Sequence, residues 1–226
     1  MKHTAFFIAL LFLAFTASAQ HDVDRPVSSF SKIRVFNKVK VHLVKGSKIS
    51  VRIKTNDNIT TQDVVTEVKN NELKIKLRTK VYRDIKVDAY VTYTDLQELS
   101  ASAGGKIVSN GTMEVDNLTV EAGAGARIEI PVTADFITAS ASSGGEISLK
   151  GSANNLKATA GSGGVIDTYH LKAKEAYVKA NTGGHVDVQP LEVLEARAYT
   201  GGIVNYKGNP KKLDTKKSVG GTINQQ

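Results

Sequence analysis

Apolar and polar positions alternate along most of this chain, and from residue 101 onward the alternation recurs at a nearly fixed interval. Apolar or small residues occupy every second position, as in Leu118, Val120 and Ala122, and polar residues fill the positions between them. A period of two predicts half-buried β-strands. A second alternation begins after each pair of glycines, so each repeat contains two strands that meet at a corner. Seven apolar residues, spaced by 18 to 21 positions, open the second strands: Ile107, Ile128, Ile147, Ile166, Val186, Val204 and Ile223.

A short phrase marks each corner: small, any, small, Gly, Gly, any, then Ile or Val. It first occurs at 101–107, and the second copy has Gly125 and Ala126 in place of the two glycines. Glycine adopts a positive φ without a Cβ clash and lets neighbouring backbones stack closely at a bend. Repetition at a fixed period of this size indicates a solenoid. The sequence therefore predicts an all-β fold, a single-stranded parallel β-helix or β-solenoid with about 19–20 residues per rung and Gly-Gly corners.

Residues 20–98 are less repetitive than the rest of the chain. Short alternating stretches such as 39–43 and 49–53 predict strands, with turns at polar and glycine-containing segments between them. These strands lack the diglycine corner, so they form either wider turns of the coil or an antiparallel cap that closes its end. A solenoid needs such a cap to stay soluble. We expect one continuous structural domain over 27–226, with the repetitive solenoid in 99–226.

The first 19 residues have the composition of a secretory signal peptide. A basic start is followed by an apolar run from Ala5 to Phe15 and by the small-residue site Ala17-Ser18-Ala19. This pattern predicts cleavage before Gln20 and export to the periplasm, the outer-membrane surface or the medium. The apolar run is too short for a stable membrane span, so no transmembrane anchor is predicted. With no cysteine in the chain, a lipoprotein anchor, a disulfide and a cysteine metal site are excluded.

The chain is basic, with a net charge of +8, and its lysines and arginines are scattered. A basic exported protein meets anionic glycans, lipopolysaccharide or acidic proteins. The alternative is that lysines on outward strand positions solvate the surface and protect open sheet edges. No cluster of the kind that binds nucleic acid is present, and no motif for a cofactor is present, so neither is predicted.

Five segments, in order along the chain, resemble one known family. They are Phe30-x-x-Ile33-x-Val35, Val39-x-Val41-x-Leu43-Val44-x-Gly46, Glu72-Leu73-x-Ile75, Ile85-x-Val87-x-Ala89, and Leu96-x-x-Leu99 leading into Ala103-Gly104-Gly105. This arrangement resembles the putative autotransporter adhesin, head GIN domain family, whose members are exported proteins common in Bacteroidetes. The resemblance covers essentially the whole mature chain. It implies a right-handed parallel β-solenoid and a role in adhesion, and it supplies no catalytic or binding residues.

Outward positions next to the closing apolar residues provide one candidate site. In a parallel stack Asp167 and Asp187 would be like-charged neighbours about 4.8 Å apart, with His185 beside them. Such a group either binds a cation, acts as a carboxylate dyad, or forms an exposed acidic rung that does nothing more. If the protein is an enzyme, these three residues are the predicted site. A metal site is not otherwise indicated.

The polar strand face of the middle rungs provides a second candidate, a binding surface of Tyr177, Lys179, Arg197 and Tyr199. Tyrosine at an exposed strand position can stack on a sugar or anchor a partner, and we expect Tyr177 and Tyr199 to be the only aromatic contacts there. Two functions follow from these observations. The first is an exported, non-catalytic module that binds a cell-surface glycan, a protein or another copy of itself, through a β face or a solenoid end. The second is a polysaccharide lyase or hydrolase on one face of the coil.

Overall fold

A computed structural model describes residues 22–78, 80 and 83–226 of the 226-residue chain. The predicted signal peptide, 1–19, lies outside these residues. Within them the protein is all-β: seventeen strands form one continuous hydrogen-bonded sheet, with a single 3₁₀ turn at Thr61–Asp63. The predicted β-solenoid is confirmed, with about 7 turns of about 19 residues. No helix in this part of the chain has the length and apolar character to span a membrane.

The repetitive half of the chain consists of long strands stacked in parallel. Ile128 pairs with Ile147, Ile147 with Ile166 and so on, so that each apolar column of the sequence becomes a column of the core. The strands of this half are β10 (Met113–Ala122), β11 (Arg127–Ala141), β12 (Glu146–Ala160), β13 (Val165–Ala180), β14 (His185–Ala198), β15 (Ile203–Tyr206), β16 (Lys212–Lys217) and β17 (Thr222–Gln225).

Each long strand bends around the core, and its burial pattern shows where. In β11 Ile130 and Val132 are both buried with Pro131 between them also buried, whereas Asp135 and Phe136 are consecutive exposed residues. The alternation is therefore interrupted at Pro131 and shifts phase at Asp135 and Phe136, and we take these two places as bends that give the coil three sides. We call the side that follows each glycine corner the post-corner face, the side that leads into each corner the pre-corner face, and the side between them the short side.

Six of the seven corners are type I′ β-turns, because both central residues have positive φ, whereas at the last corner Gly220 has a positive φ and Val219 does not. In one of them Ser162 has φ 48° and Gly163 has φ 71°, and the Gly164 N–H donates to the Gly161 carbonyl at 2.9 Å. The two glycines have different roles. Gly163 supplies the left-handed conformation, whereas a Cβ on Gly164 would lie 2.3 Å from the carbonyl oxygen of Ala141 in the preceding rung. One corner carries alanine instead, the buried Ala126.

The first half of the chain contains both of the arrangements that the sequence left open. A rung made of β2 and β3 lies between the rung of β6 and β7 and the rung of β8 and β9, and all of these pair in parallel. Beyond β6 and β7, the strands β1, β4 and β5 pair antiparallel and cover that end of the core. The strands are β1 (Asp22–Arg25), β2 (Lys32–Val35), β3 (Lys40–Lys45), β4 (Ser50–Thr55), β5 (Val64–Lys69), β6 (Glu72–Leu77), β7 (Val87–Tyr93), β8 (Glu98–Ala101) and β9 (Lys106–Ser109).

One apolar core runs along the stack from Phe30 to Tyr206. It consists mainly of Ile, Val, Leu and Ala, with Phe30, Tyr93, Met113 and Tyr206 as exceptions, which fits the low aromatic content of the chain. At the end opposite the antiparallel strands, Leu213 continues the column of Leu194 but is 50% exposed, and every residue of β16 is exposed. In the middle of the stack, in-register strands present their outward residues at regular spacing, and both candidate sites lie there.

Candidate functional site

The predicted neighbours Asp167 and Asp187 do stand in register on the post-corner face, in β13 and β14. The Asp187 carboxylate is held by hydrogen bonds. Its Oδ1 lies 2.7 Å from His185 Nε2 and accepts a hydrogen bond from Asn205 Nδ2 at 2.8 Å. Asn224 Nδ2 in turn donates to Asn205 Oδ1 at 3.0 Å. The sequence candidates are thus brought together, but in a network that extends over four rungs.

Tyr169 completes this network from the rung of β13. Its phenol hydrogen-bonds to Asp187, and burial together with that carboxylate raises the pKa of Tyr169 to about 12. The Nζ atom of Lys207 lies 4.0 Å from the centre of the Tyr169 ring, within cation–π distance. Thr168 is fully buried, and its hydroxyl donates to the Asp187 carbonyl at 2.6 Å. Relative to β12, this rung has one extra residue between Asp167 and His170, and Tyr169 lies in that bulge.

The contacts in this network indicate a structural clamp, that is, a set of hydrogen bonds that links neighbouring rungs, and not a reactive centre. The Asp187 carboxylate is hydrogen-bonded to several side chains. The Asp167 carboxylate accepts a hydrogen bond from the backbone N–H of Tyr169 at 3.1 Å. A phenol with a pKa of about 12 stays protonated at neutral pH and does not act as a general base there. In the described ranges no group of three or more His, Cys, Asp or Glu side chains is placed to hold a metal ion. Metal binding or catalysis by Asp167, Asp187 and His185 stays a prediction.

Elsewhere on the post-corner face, charged side chains neutralise one another. Lys106 Nζ lies 2.9 Å from Glu129 Oε1, and Arg127 pairs with Glu146 in the next rung. These residues line an open groove whose charges are of both signs. Surface ion pairs of this kind contribute little stability each, but they leave few free charges for a ligand.

The second predicted surface lies on the pre-corner face, where its residues occupy two adjacent rungs. Lys179 and Arg197 are register partners, and Lys179 Nζ lies 5.8 Å from the centre of the Tyr199 ring. Arg197 is paired with Asp214 at 2.7 Å. The Tyr177 ring is 40% exposed, and its hydroxyl donates to a Glu175 carboxylate oxygen at 2.9 Å. The four residues therefore form one surface, of which Tyr177 and Lys179 are the most accessible.

Phe136 is a further aromatic residue on this face, and sequence analysis missed it. Its side chain is 54% exposed and stands in register between Asn117 and Asn155. The expectation that Tyr177 and Tyr199 are the only aromatic contacts on the middle rungs is therefore wrong. An alignment of the repeats could have predicted this exposure. Phe136 directly precedes the buried Ile137, at a position where the neighbouring repeats have an asparagine.

Comparison with known proteins gives a family and a fold. The sequence profile described as "putative auto-transporter adhesin, head GIN domain" matches residues 29–210. Among curated proteins no match was found.

The chain is similar in structure to several crystal structures, all below 25% identity, so that the likeness concerns the fold. A putative adhesin from Bacteroides fragilis NCTC 9343 has a TM-score of 0.82 and 22% identity, over 91% of this chain and 96% of that one. A putative adhesin from Parabacteroides merdae ATCC 43184 has a TM-score of 0.67 and 16% identity, over 91% and 95%. A putative lipid binding protein from Parabacteroides distasonis ATCC 8503 has a TM-score of 0.67 and 17% identity, over 91% and 96%.

Proposed function

This chain belongs to the putative auto-transporter adhesin, head GIN domain family, and from that premise we propose that it is an exported, non-catalytic module that binds a glycan at the cell envelope. The surface we assign to binding is the pre-corner face of the middle rungs. It includes Tyr177, Lys179, Arg197 and Tyr199 from the sequence analysis, and Phe136 from the structure.

The observation that carries this proposal is the exposure of two aromatic residues on one face of the coil. Phe136 and Tyr177 both stand outward on pre-corner strands, where the neighbouring outward positions are mostly polar. An exposed ring gains free energy when a partner covers it, and the apolar side of a sugar ring is a suitable cover. Stacked parallel strands hold such rings at multiples of about 4.8 Å, a spacing that suits an extended partner.

Polar groups around the rings favour a glycan over an apolar partner. The hydroxyls of Thr138 and Thr159 and the ammonium group of Lys179 stand at outward positions of the same face. Ligand sites combine apolar contact with a few polar groups that fix orientation, and sugars present both kinds of surface. Binding to a protein or to a second copy is the other outcome of the test.

A glycan-array screen of the purified exported protein, with and without calcium, tests the proposal. The masses of the retained sugars are then measured. Retention of intact glycan supports binding without catalysis. Shortened or unsaturated sugar supports the lyase or hydrolase alternative and directs attention to Asp167, Asp187 and His185. If no sugar is retained, the glycan proposal is wrong, and protein partners or self-association have to be tested.

Two tyrosines of equal exposure provide a matched pair of variants. Tyr177 on the pre-corner face is 40% exposed, and Tyr90 on the post-corner face is 39% exposed. We expect Tyr177→Thr to weaken glycan retention about tenfold, since one ring contact contributes roughly 1 kcal/mol beyond its buried area, and Tyr90→Thr to leave it unchanged. Equal retention by both variants would remove the pre-corner face from the proposal.

A further inference from the structure

Phe136 occupies an unusual place on the pre-corner face, at the phase change of β11 where the short side ends. The next residue, Ile137, is buried, and so is Ala134, so that the phenyl ring is the one apolar side chain of this corner that points outward. An exposed phenylalanine has no polar atom to offer water. Its burial by a ligand is therefore favourable.

The two register neighbours of Phe136 carry amides with free hydrogen-bonding capacity. Asn117 lies in the rung before it and Asn155 in the rung after it. In the part of the chain that the structure describes, neither side chain has a hydrogen-bond partner. Each amide offers two N–H donors and one acceptor oxygen. Because neighbouring strands lie about 4.8 Å apart, the two amide-bearing strands are about 9.6 Å apart and frame the ring from both sides.

The surroundings of this trio are acidic. A shallow groove beside Asn117 is lined by Asp95, Glu98, Glu114 and Asp116, with Lys32 as its cation among the described residues. On the other side Asp135 precedes Phe136 directly, and the groove there adds Glu192 as well as Lys172 and Lys174, so that carboxylates still outnumber ammonium groups around the trio. A carboxylate-lined rim repels sulfate and carboxylate groups of a ligand. The local charge is thus opposite to the basic balance of the whole chain.

We propose that Phe136, Asn117 and Asn155 form a subsite for one neutral hexopyranose unit of a glycan. The apolar C–H side of the sugar lies on the phenyl ring, and the two amides hydrogen-bond the hydroxyls at its edges. The subsite presupposes the glycan binding proposed above, and it specifies the ligand class as uncharged. The paired parallel strands fix the backbone spacing of the three residues before the sugar arrives, which lowers the entropy cost of binding.

The test compares neutral glucose, galactose and mannose oligosaccharides with sulfated and uronic-acid oligosaccharides on one array. Wild type is measured beside Phe136→Ala and Asn155→Ala, with Thr133→Ala as a control on the exposed short side of the same rung. We expect wild type to retain neutral oligosaccharides, Phe136→Ala to weaken retention at least tenfold, Asn155→Ala to weaken it several-fold, and Thr133→Ala to retain them fully. Far-UV circular dichroism checks that each variant is folded.

Four results separate failure of the subsite from failure of the proposed function. Neutral oligosaccharide retained equally by wild type and Phe136→Ala overturns the subsite and leaves glycan binding intact. A preference for sulfated or uronic-acid oligosaccharides overturns the uncharged ligand class in the same way. Retention of none of the probes by wild type overturns both. A protein partner that loses binding in Phe136→Ala, with no sugar retained, would reassign this ring to a protein contact.

Discussion

Substitution of Gly164 by alanine tests whether rung stacking, and not turn conformation alone, requires the second glycine of a corner. A Cβ on Gly164 lies 2.3 Å from the Ala141 carbonyl oxygen, which is 1.1 Å short of the 3.4 Å at which ordinary contact begins. The adjacent Gly163 differs, because its Cβ would meet nothing within 4 Å while its φ is +71°. Gly111 has neither constraint: its Cβ would enter open space, and its φ is not positive.

The expected cost follows from the bonds beside the clash. To relieve it, the two rungs have to separate where the Gly161 N–H donates to Ala141 at 3.0 Å and the Val165 N–H donates to Gly145 at 2.9 Å. Each of these bonds contributes about 1 kcal/mol, and overpacking itself costs about 1–3 kcal/mol. We therefore expect Gly164→Ala to lower the free energy of unfolding by about 3–5 kcal/mol. Gly163→Ala should cost about 1–2 kcal/mol for a left-handed alanine, and Gly111→Ala less than about 0.5 kcal/mol.

Equilibrium unfolding in urea, followed by far-UV circular dichroism, measures these differences. The chain contains no tryptophan, so backbone dichroism is the natural signal. Repeat arrays can lose two-state behaviour, and the dependence of the unfolding free energy on urea has to be compared among variants before midpoints are converted into energies. Wild type and the three variants are measured in the same buffer at one temperature.

The order of the three variants decides the question. If Gly164→Ala is as stable as Gly111→Ala, then close approach of the Ala141 carbonyl is not the reason for the second glycine. If Gly163→Ala is the most damaging, turn conformation outweighs stacking. The natural Ala126, which is buried in the core, shows that the second corner accommodates a Cβ at the equivalent position, so the cost at Gly164 depends on how closely its own neighbouring rung approaches.

Two further predictions concern the network on the post-corner face. Asp187→Ala should lower the free energy of unfolding by about 2 kcal/mol, because it leaves His185 and Asn205 without their acceptor. Asp167→Ala should lower it by less than about 1 kcal/mol. Equal losses of the two variants in urea unfolding would contradict the role of Asp187 in linking the rungs. The raised pKa of Tyr169 means that its stabilising effect is complete below pH 10 and is lost as the pH rises toward about 12. The midpoint of thermal unfolding should therefore fall more steeply with pH over this window in wild type than in Tyr169→Phe. Parallel midpoint curves for the two proteins would refute a stabilising role of the Tyr169 hydroxyl.

Much of the candidate-site geometry could be read from the repeats, because in-register stacking turns sequence spacing into spatial neighbours. Asp167 and Asp187 are neighbours for this reason, and so are Lys179 and Arg197. The hydrogen-bond partners of their side chains could not be predicted from the sequence. Asn205 reaches Asp187 from the next rung, and the bulge after Thr168 that contains Tyr169 is a local departure from the repeat.

The sequence by itself determined the fold class, the period of the coil and the positions of its corners. Period-two alternation and paired glycines are local signals, since they depend on which face of a strand is apolar and on the φ that each residue tolerates. The tertiary structure alone decided how the first half is ordered, with the rung of β2 and β3 between two later rungs and with three antiparallel strands at the end. It also decided that Phe136 faces solvent beside two free amides. Strand pairing and exposure depend on residues distant in sequence, and an alternating pattern is equally compatible with several partners.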